Sequence, residues 1–234
     1  MKIGIMQPYF FPYIGYFQLI QNVDEFIVYD NIKFTKKGWI NRNRIFVNGK
    51  DEYITLPLKK DSDFLDIKDR YLAEGWTSEK NKIINRIKES YKKAPNFQEV
   101  LPLIESVFNY ENNNLFEFIF NSLQQINNFM EIKTPLIISS SIDINHELKG
   151  VDKVLAICKA QKAKTYINPI GGIELYNKEI FNQNGLDLKF LKTNEIKYPQ
   201  FKDDFIPFLS IIDVMMFNSK ETIKYHLKNS ITYF

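Results

Sequence analysis

Residues 7–16, QPYFFPYIGY, carry the first side chains equipped to grip a polar ligand. Gln7 has an amide with two donors and one acceptor. Pro8 and Pro12 fix backbone angles and stiffen the stretch. Tyr9, Tyr13 and Tyr16 bring hydroxyls on flat rings, and Gly15 allows a close backbone approach. If a helix follows, its free N–H groups favour an anion. The competing reading is an aromatic loop that packs the core and nothing more.

A second stretch, NIKFTKKGWINRNRIFVNGK, runs from Asn31 to Lys50 without an acid. It holds Lys33, Lys36, Lys37, Arg42, Arg44 and Lys50, interleaved with Phe34, Trp39 and Phe46. Alternation along a strand puts Asn41 and Asn43 on one face and Arg42 and Arg44 on the other. Arginine pairs with phosphate through two parallel hydrogen bonds, and asparagine reads sugar hydroxyls or amides. A charged edge strand kept from aggregating explains the same residues. Single-stranded RNA is an alternative ligand, against which the weak overall charge argues.

Three further features carry less. In TYINPIGGIELYN, Gly171 and Gly172 follow a strand end and could form an anion cradle. Their spacing fits neither the dinucleotide fingerprint nor the P-loop, and a structural turn is the favoured reading. Ser210 and Asp213 stand three apart in FLSIID, a spacing that suits helix capping better than chemistry. His146 and His226 are the only imidazoles, too far apart in sequence for a local zinc pair, and neither falls in an expected strand-end loop. His146, in SSSIDINHELKG, is the better placed of the two.

These residues need elements to position them. Ile3–Met6 reads as a buried strand, residues 15–22 as a helix, and FIVYD at residues 26–30 as a second strand ending on Asp30. RIFV and EYITLPL flank Asn48-Gly49, the signature of a hairpin. Ile83, Ile84, Ile87 and Tyr91 share one face of a helix over residues 78–93, which Pro95 stops. Leu115, Ile119, Leu123, Ile126 and Met130 mark a longer helix. The run LIISSSI, an amphipathic helix bearing Val151, Val154, Leu155 and Cys158, a strand at residues 165–168, a further helix after the Gly-Gly turn, and the alternating LDLKFL complete the pattern. The alternation predicts an α/β fold: a Rossmann-like parallel sheet with helices on both faces. A hairpin and helical segment is inserted at about residues 33–131 of a single 234-residue domain. In such sheets ligands sit beyond the carboxyl ends of the strands, where the opening loop falls.

The totals set bounds. With 44% apolar and 25% charged residues, the chain can bury a sizeable core. A net charge of +3 does not imply strong nonspecific nucleic-acid binding. One cysteine excludes an internal disulfide and a thiolate zinc cluster, and fits a reducing, cytoplasmic setting. KIGIM is too short for a signal peptide, and no run is long enough to span a bilayer. No metal site is predicted.

Taken together, QPYFFPYIGYFQLI, Asp30 with Lys36 and GWINRNRI, Trp76 with Tyr91-Lys92-Lys93-Ala94-Pro95, YINPIGG with LY, and FLSIIDVMMFN resemble the WbqC-like family of bacteria over nearly the whole chain. Asn81 departs from a histidine expected near that position in relatives. The family's association with gene clusters for surface polysaccharides, O-antigen among them, implies work on a nucleotide-linked amino sugar. The opening loop is also similar, more faintly, to the His-x-Gly-His loop of the nucleotidylyltransferase and pantothenate-synthetase superfamily, with Tyr13 and Tyr16 where the imidazoles stand. On this resemblance the chain is expected to N-acylate or aminoacylate the sugar amine, as a transferase or an ATP-dependent amide ligase. ATP with Mg, or an acyl thioester, would be the donor. Lys36, Arg42 and Arg44 would hold the diphosphate, Tyr9, Tyr13 or Trp39 would stack on a base or sugar, and Gln7, Asn41 and Asn43 would read polar groups. Asp30 and Tyr16 would act in the chemistry, helped by backbone N–H groups at Gly171-Gly172. A noncatalytic sugar-nucleotide-binding module is the alternative.

Overall fold

The computed structural model describes residues 1–201 and 204–234. Strands β1 (Lys2–Met6) and β2 (Glu25–Val28) are joined by helix α1 (Ile14–Gln21). A hairpin, β3 (Arg42–Val47) and β4 (Lys50–Thr55), and three helices follow: α2 (Trp76–Tyr91), α3 (Phe97–Phe108) and α4 (Leu115–Phe129). The chain then returns to the sheet through β5 (Leu136–Ile138), α5 (Gly150–Ala160), β6 (Thr165–Pro169), α6 (Lys178–Gln183) and β7 (Asp187–Thr193). It closes with α7 (Ile211–Phe217), α8 (Lys220–Asn229) and β8 (Ile231–Tyr233).

Six strands form one sheet in the order β5-β2-β1-β6-β7-β8, and β3-β4 stand apart as a two-stranded ribbon. All neighbours in the large sheet are parallel except β7-β8. The chain leaves β1 in one direction, to β2 and β5, and then returns to the other side of β1 as β6. The strand order therefore switches between β1 and β6, the place where open α/β sheets admit ligands.

The period of two along each strand builds two cores. Ile3, Ile5 and Ile27 face a core shared with Val154, Ile157 and Cys158 of α5, Phe181 of α6 and Phe190 of β7. Phe26 and Val28 face the opposite way, into a larger core that includes α1, the helical insertion, α7 and α8. Gly4 lies under α1, and a Cβ there would stand 3.2 Å from Leu19 Cγ. The bulk of the opening loop belongs to this larger core. Phe10 and Phe11 are fully buried, and both rings pack against Phe108. The loop thus staples the sheet to the helical insertion.

The hairpin turns at Asn48 and Gly49 with φ of 50° and 86°, the left-handed pair that a two-residue connection demands. β2 ends at Val28, two residues before the expected limit; Tyr29 N–H still donates to Met6 O at 2.8 Å, and Asp30 follows beyond the carboxyl end of the strand. Helix α3 and strand β8 were not expected. Pro102 sits inside α3, where a sequence reading ends helices. β8 has three residues, two of them exposed, and adds an antiparallel edge to the parallel sheet.

Candidate functional site

The first region forms where the opening loop meets β3. Phe10 N–H donates to the carbonyls of Trp39 and Ile40. Asn43, 4% exposed, donates from its amide to the carbonyls of Phe10 (3.1 Å) and Phe11 (2.8 Å). Ser210 Oγ also donates to Phe11 O, and Ile211 N–H to Pro12 O. These bonds hold Phe11 at φ 41°, a left-handed conformation costly for an aromatic residue. Phe208, across the pocket, is left-handed too, at φ 57°. Strained residues of this kind cluster at ligand clamps.

Between these parts lies a cavity of about 240 Å³ lined by Tyr9, Pro12, Tyr13, Trp39, Asn43, Arg44 and Phe208. Trp39 is 38% exposed and Phe208 67%. Arg44 donates from one terminal nitrogen to Asp51 at 2.8 Å and from the other to Phe208 O at 3.4 Å, and its guanidinium stands 5.7 Å from the Trp39 ring centroid. Its Nε is buried and makes no hydrogen bond among the described residues. On the outer face, Trp39 stacks on Tyr53, and Arg42 lies 4.7 Å over the Tyr53 ring. Arg42 donates to the carbonyls of Gly38 and Lys37, which holds it to its own loop.

Tyr13 and Phe208 also wall a second cavity of about 820 Å³. Its floor is apolar, from Ile14, Leu209 and Val214, and its rim comes from Lys192 to Tyr198, the end of β7 and the chain after it. Gly15 makes the shared wall possible: a Cβ there would lie 2.3 Å from the end of the Tyr13 ring. Tyr9 is the tyrosine behind that wall, its hydroxyl pushed above the ordinary range by burial and then by the nearby Tyr13.

The second region lies at the carboxyl ends of β2 and β5. Asp30 is 1% exposed, and its Oδ1 accepts from Ser139 Oγ and from Ser140 N–H, both at 2.9 Å. The Asn31 side-chain amide bridges Ser139 Oγ and His146 Nδ1, the latter at 2.9 Å. Lys153, on the first turns of α5, is 4% exposed and donates to the carbonyls of Asn31 (3.2 Å) and His146 (3.3 Å). Burial lowers the Lys153 pKa, and the charges of Asp66 and Asp30 oppose that shift. Tyr29 stands under this lysine, with its hydroxyl raised to about 12 chiefly by burial.

The predicted site residues therefore separate. Tyr9, Tyr13, Trp39, Asn43 and Arg44 come together in the small cavity, with Gly15 beneath Tyr13. Asn41 braces the loop by donating to Leu56 O, and Lys36 is an exposed partner of Asp63. Tyr16 is 2% exposed, and its hydroxyl donates to the backbone carbonyl of Gln7 at 2.9 Å. Burial raises its pKa well above the ordinary value. Gly172 lies beneath Asn168 Nδ2, 2.0 Å from where a Cβ would stand, while Gly171 has open space around it. Ser210 caps α7, as its position suggests. Asp213 faces inward instead, accepting from Tyr91, Tyr198 and Gln200, and burial raises its pKa against those three hydrogen bonds. Asn81 is exposed on α2.

Lys153 and Phe208 were not singled out from the sequence, and no local spacing marks either. His146 was expected outside strand-end loops, but it lies in the connection from β5 to α5 and touches the loop after β2. Among the described residues, no cluster of three or more His, Cys, Asp or Glu is placed to hold a metal ion, and no helix is long and apolar enough to cross a membrane.

The profile of the WbqC-like protein family matches residues 7–225, from the opening loop through most of α8. The chain belongs to that family. Both regions, from Gln7 to Phe208, fall inside the matched span. A relative in Mycobacterium tuberculosis, Uncharacterized protein Rv1507c, is 26% identical over 216 residues, which is 92% of each chain. No solved structure matches.

Proposed function

We propose that this WbqC-like protein binds a nucleotide-linked amino sugar in the cavity between the opening loop and β3, and acylates or aminoacylates its amine. The observation that carries the reading is Arg44. Its guanidinium borders a cavity walled by exposed aromatic rings, with a buried Nε lacking a partner among the described residues. A guanidinium beside flat apolar faces suits a phosphate joined to a base or sugar. The hairpin and the Asn43 bonds preorganise that wall, which lowers the ordering cost of binding.

The larger cavity through Tyr13 and Phe208 is the place for the acyl donor. Its apolar floor suits an acyl chain, and its mixed rim of Lys192, Lys197, Glu195 and Asp204 suits the polar part of an acyl adenylate, made from ATP with Mg, or of an acyl thioester. Asp30 and Tyr16 are buried, so their part is to hold other groups in place. That burial favours the noncatalytic binding module as a second reading.

Thermal shift with a panel of nucleotide-linked amino sugars tests binding, followed by mass spectrometry with ATP and amino acids or with acyl thioesters. Stabilisation by one sugar nucleotide and an added acyl mass on it are expected. Binding without turnover by any donor favours the binding module, and no stabilisation by any member defeats both readings.

A further inference from the structure

The small cavity beside Arg44 and the larger cavity next to it have two lining residues in common, Tyr13 and Phe208. Their rings meet edge to face, with centroids 6.3 Å apart. Phe208 is 67% exposed, so the wall they form ends at solvent. Two molecules seated in these cavities therefore meet at the rim of that wall. Reacting atoms must come within about 3–3.5 Å of each other, so an amine from one side and an acyl carbon from the other would react beside these two rings.

Phe208 brings no polar side-chain atom to the rim. Tyr13 brings a hydroxyl, and a phenol donates one proton in a hydrogen bond. Other tyrosines spend that proton inside the fold, Tyr16 on Gln7 O, Tyr91 and Tyr198 on Asp213, and Tyr166 on Asn168, whereas Tyr13 has no such partner among the described residues. Its ring is held all the same. It packs against the Phe208 ring, and its hydroxyl end lies so close over Gly15 that a Cβ there would stand 2.3 Å away. Of the other polar side chains of the small cavity, Asn43 is committed to the carbonyls of Phe10 and Phe11, and Arg44 is the partner of the phosphate.

We propose that Tyr13 is a catalytic residue of the transfer, and that its hydroxyl donates a hydrogen bond to the acyl carbonyl oxygen as negative charge builds there. This role rests on the acyl-transfer reading above. The amine nitrogen of the sugar forms a bond to the acyl carbon, and the acyl carbon's bond to the adenylate phosphate oxygen or to the thioester sulfur breaks. The proton lost by the amine leaves to solvent at the open end of the wall. Tyr13 keeps its own proton throughout. A donor held in place before charge develops needs no reorganisation when the reaction occurs.

Tyr13→Phe keeps the ring and the wall and removes only the hydroxyl. Steady-state kinetics of the full chain, with the panel of nucleotide-linked amino sugars and with ATP and amino acids or acyl thioesters, compare this variant with the wild type. Turnover is expected to fall by about 100-fold or more, the cost of losing one such donor. The fall should appear in kcat, with sugar-nucleotide affinity and melting temperature unchanged. Equal turnover in the two chains would overturn the role and leave the transfer reading standing. A loss of affinity with kcat unchanged would also overturn it, because Tyr13 would then serve binding alone. If the wild-type chain transfers no acyl group to any member of the panel, the transfer reading fails and the role of Tyr13 fails with it.

Discussion

The loops after β1 and β2 leave neighbouring parallel strands and reach opposite environments. The first buries two phenylalanines, bends one of them into a left-handed conformation, and exposes tyrosine rings toward Trp39 and Arg44. The second buries a carboxylate, an amide and an ammonium, each with hydrogen-bond partners. Apolar burial gives the first region its rigidity, and a hydrogen-bonded chain gives it to the second. A rigid aromatic wall recognises flat and anionic groups but moves no proton. A chain of single donors and acceptors fixes side-chain orientation but offers little surface to bind. The two loops of one sheet edge are therefore made rigid by different means.

The largest expected separation between the regions comes from two glycines. Gly15→Ala places a methyl 2.3 Å from the Tyr13 ring, which must leave its place in the cavity wall. Sugar-nucleotide binding is expected to vanish by calorimetry, while stability changes by no more than roughly 1 kcal/mol, as for an ordinary helical swap. Gly172→Ala strikes Asn168 instead, so it should lower the melting temperature and spare affinity. Equal effects of both on affinity would erase the distinction.

Arg44→Ala is expected to weaken sugar-nucleotide binding by about 1.5–3 kcal/mol, the worth of a hydrogen bond to a charged group. Arg42 is already held by Gly38 and Lys37 and lies over Tyr53. Arg42→Ala should therefore cost no more than about 1 kcal/mol, the scale of an exposed cation–π contact. Titration of both variants checks the difference.

Tyr91 sharpens the comparison from outside both regions. Its hydroxyl accepts from Phe46 N–H and donates to Asp213, joining β3, α2 and α7. Tyr91→Phe leaves a buried amide and a carboxylate oxygen short of a partner, and should cost about 1–3 kcal/mol in urea unfolding. Affinity per folded molecule should hold, because neither cavity is touched.

The smallest effect is in pH. Burial lowers the Lys153 pKa below its usual 10.5, so between the folded value and 10.5 the unfolded chain holds more proton. Stability contributed by this group rises with pH across that window and levels off near 10.5. Lys153→Met should lack the rise when both chains are unfolded in urea at a series of alkaline pH values.

Much of the sheet was legible in the sequence because its signals are local. Alternation marked β7, Asn48-Gly49 marked the hairpin, and isoleucine spacing marked α2. Helix α3 was hidden by Pro102, whose position inside the helix overrides the usual stop signal. The sites were legible only by halves. Residues 7–16 and 39–44 each stood out, but their meeting depends on Asn43 reaching across to Phe10 and Phe11. Period-two spacing put Asn43 and Arg44 on opposite faces without telling which face turns inward. Asp30 was found at its strand end, but the residues completing its network lie more than a hundred positions away, at Ser139, His146 and Lys153. No spacing rule reaches that far.

Trp39 supplies the most direct test of the central claim, that the cavity between the opening loop and β3 holds the sugar nucleotide. The chain has two tryptophans, and Trp76 is buried in the helical insertion. In Trp76→Phe, Trp39 alone reports on the cavity. Titrating that variant with the panel of nucleotide-linked amino sugars should change its fluorescence saturably for at least one, and adding Arg44→Ala should shift that curve to ten-fold or higher concentration, about 1.4 kcal/mol or more. A saturable response that Arg44→Ala leaves in place, or no response from any sugar nucleotide, would contradict the account.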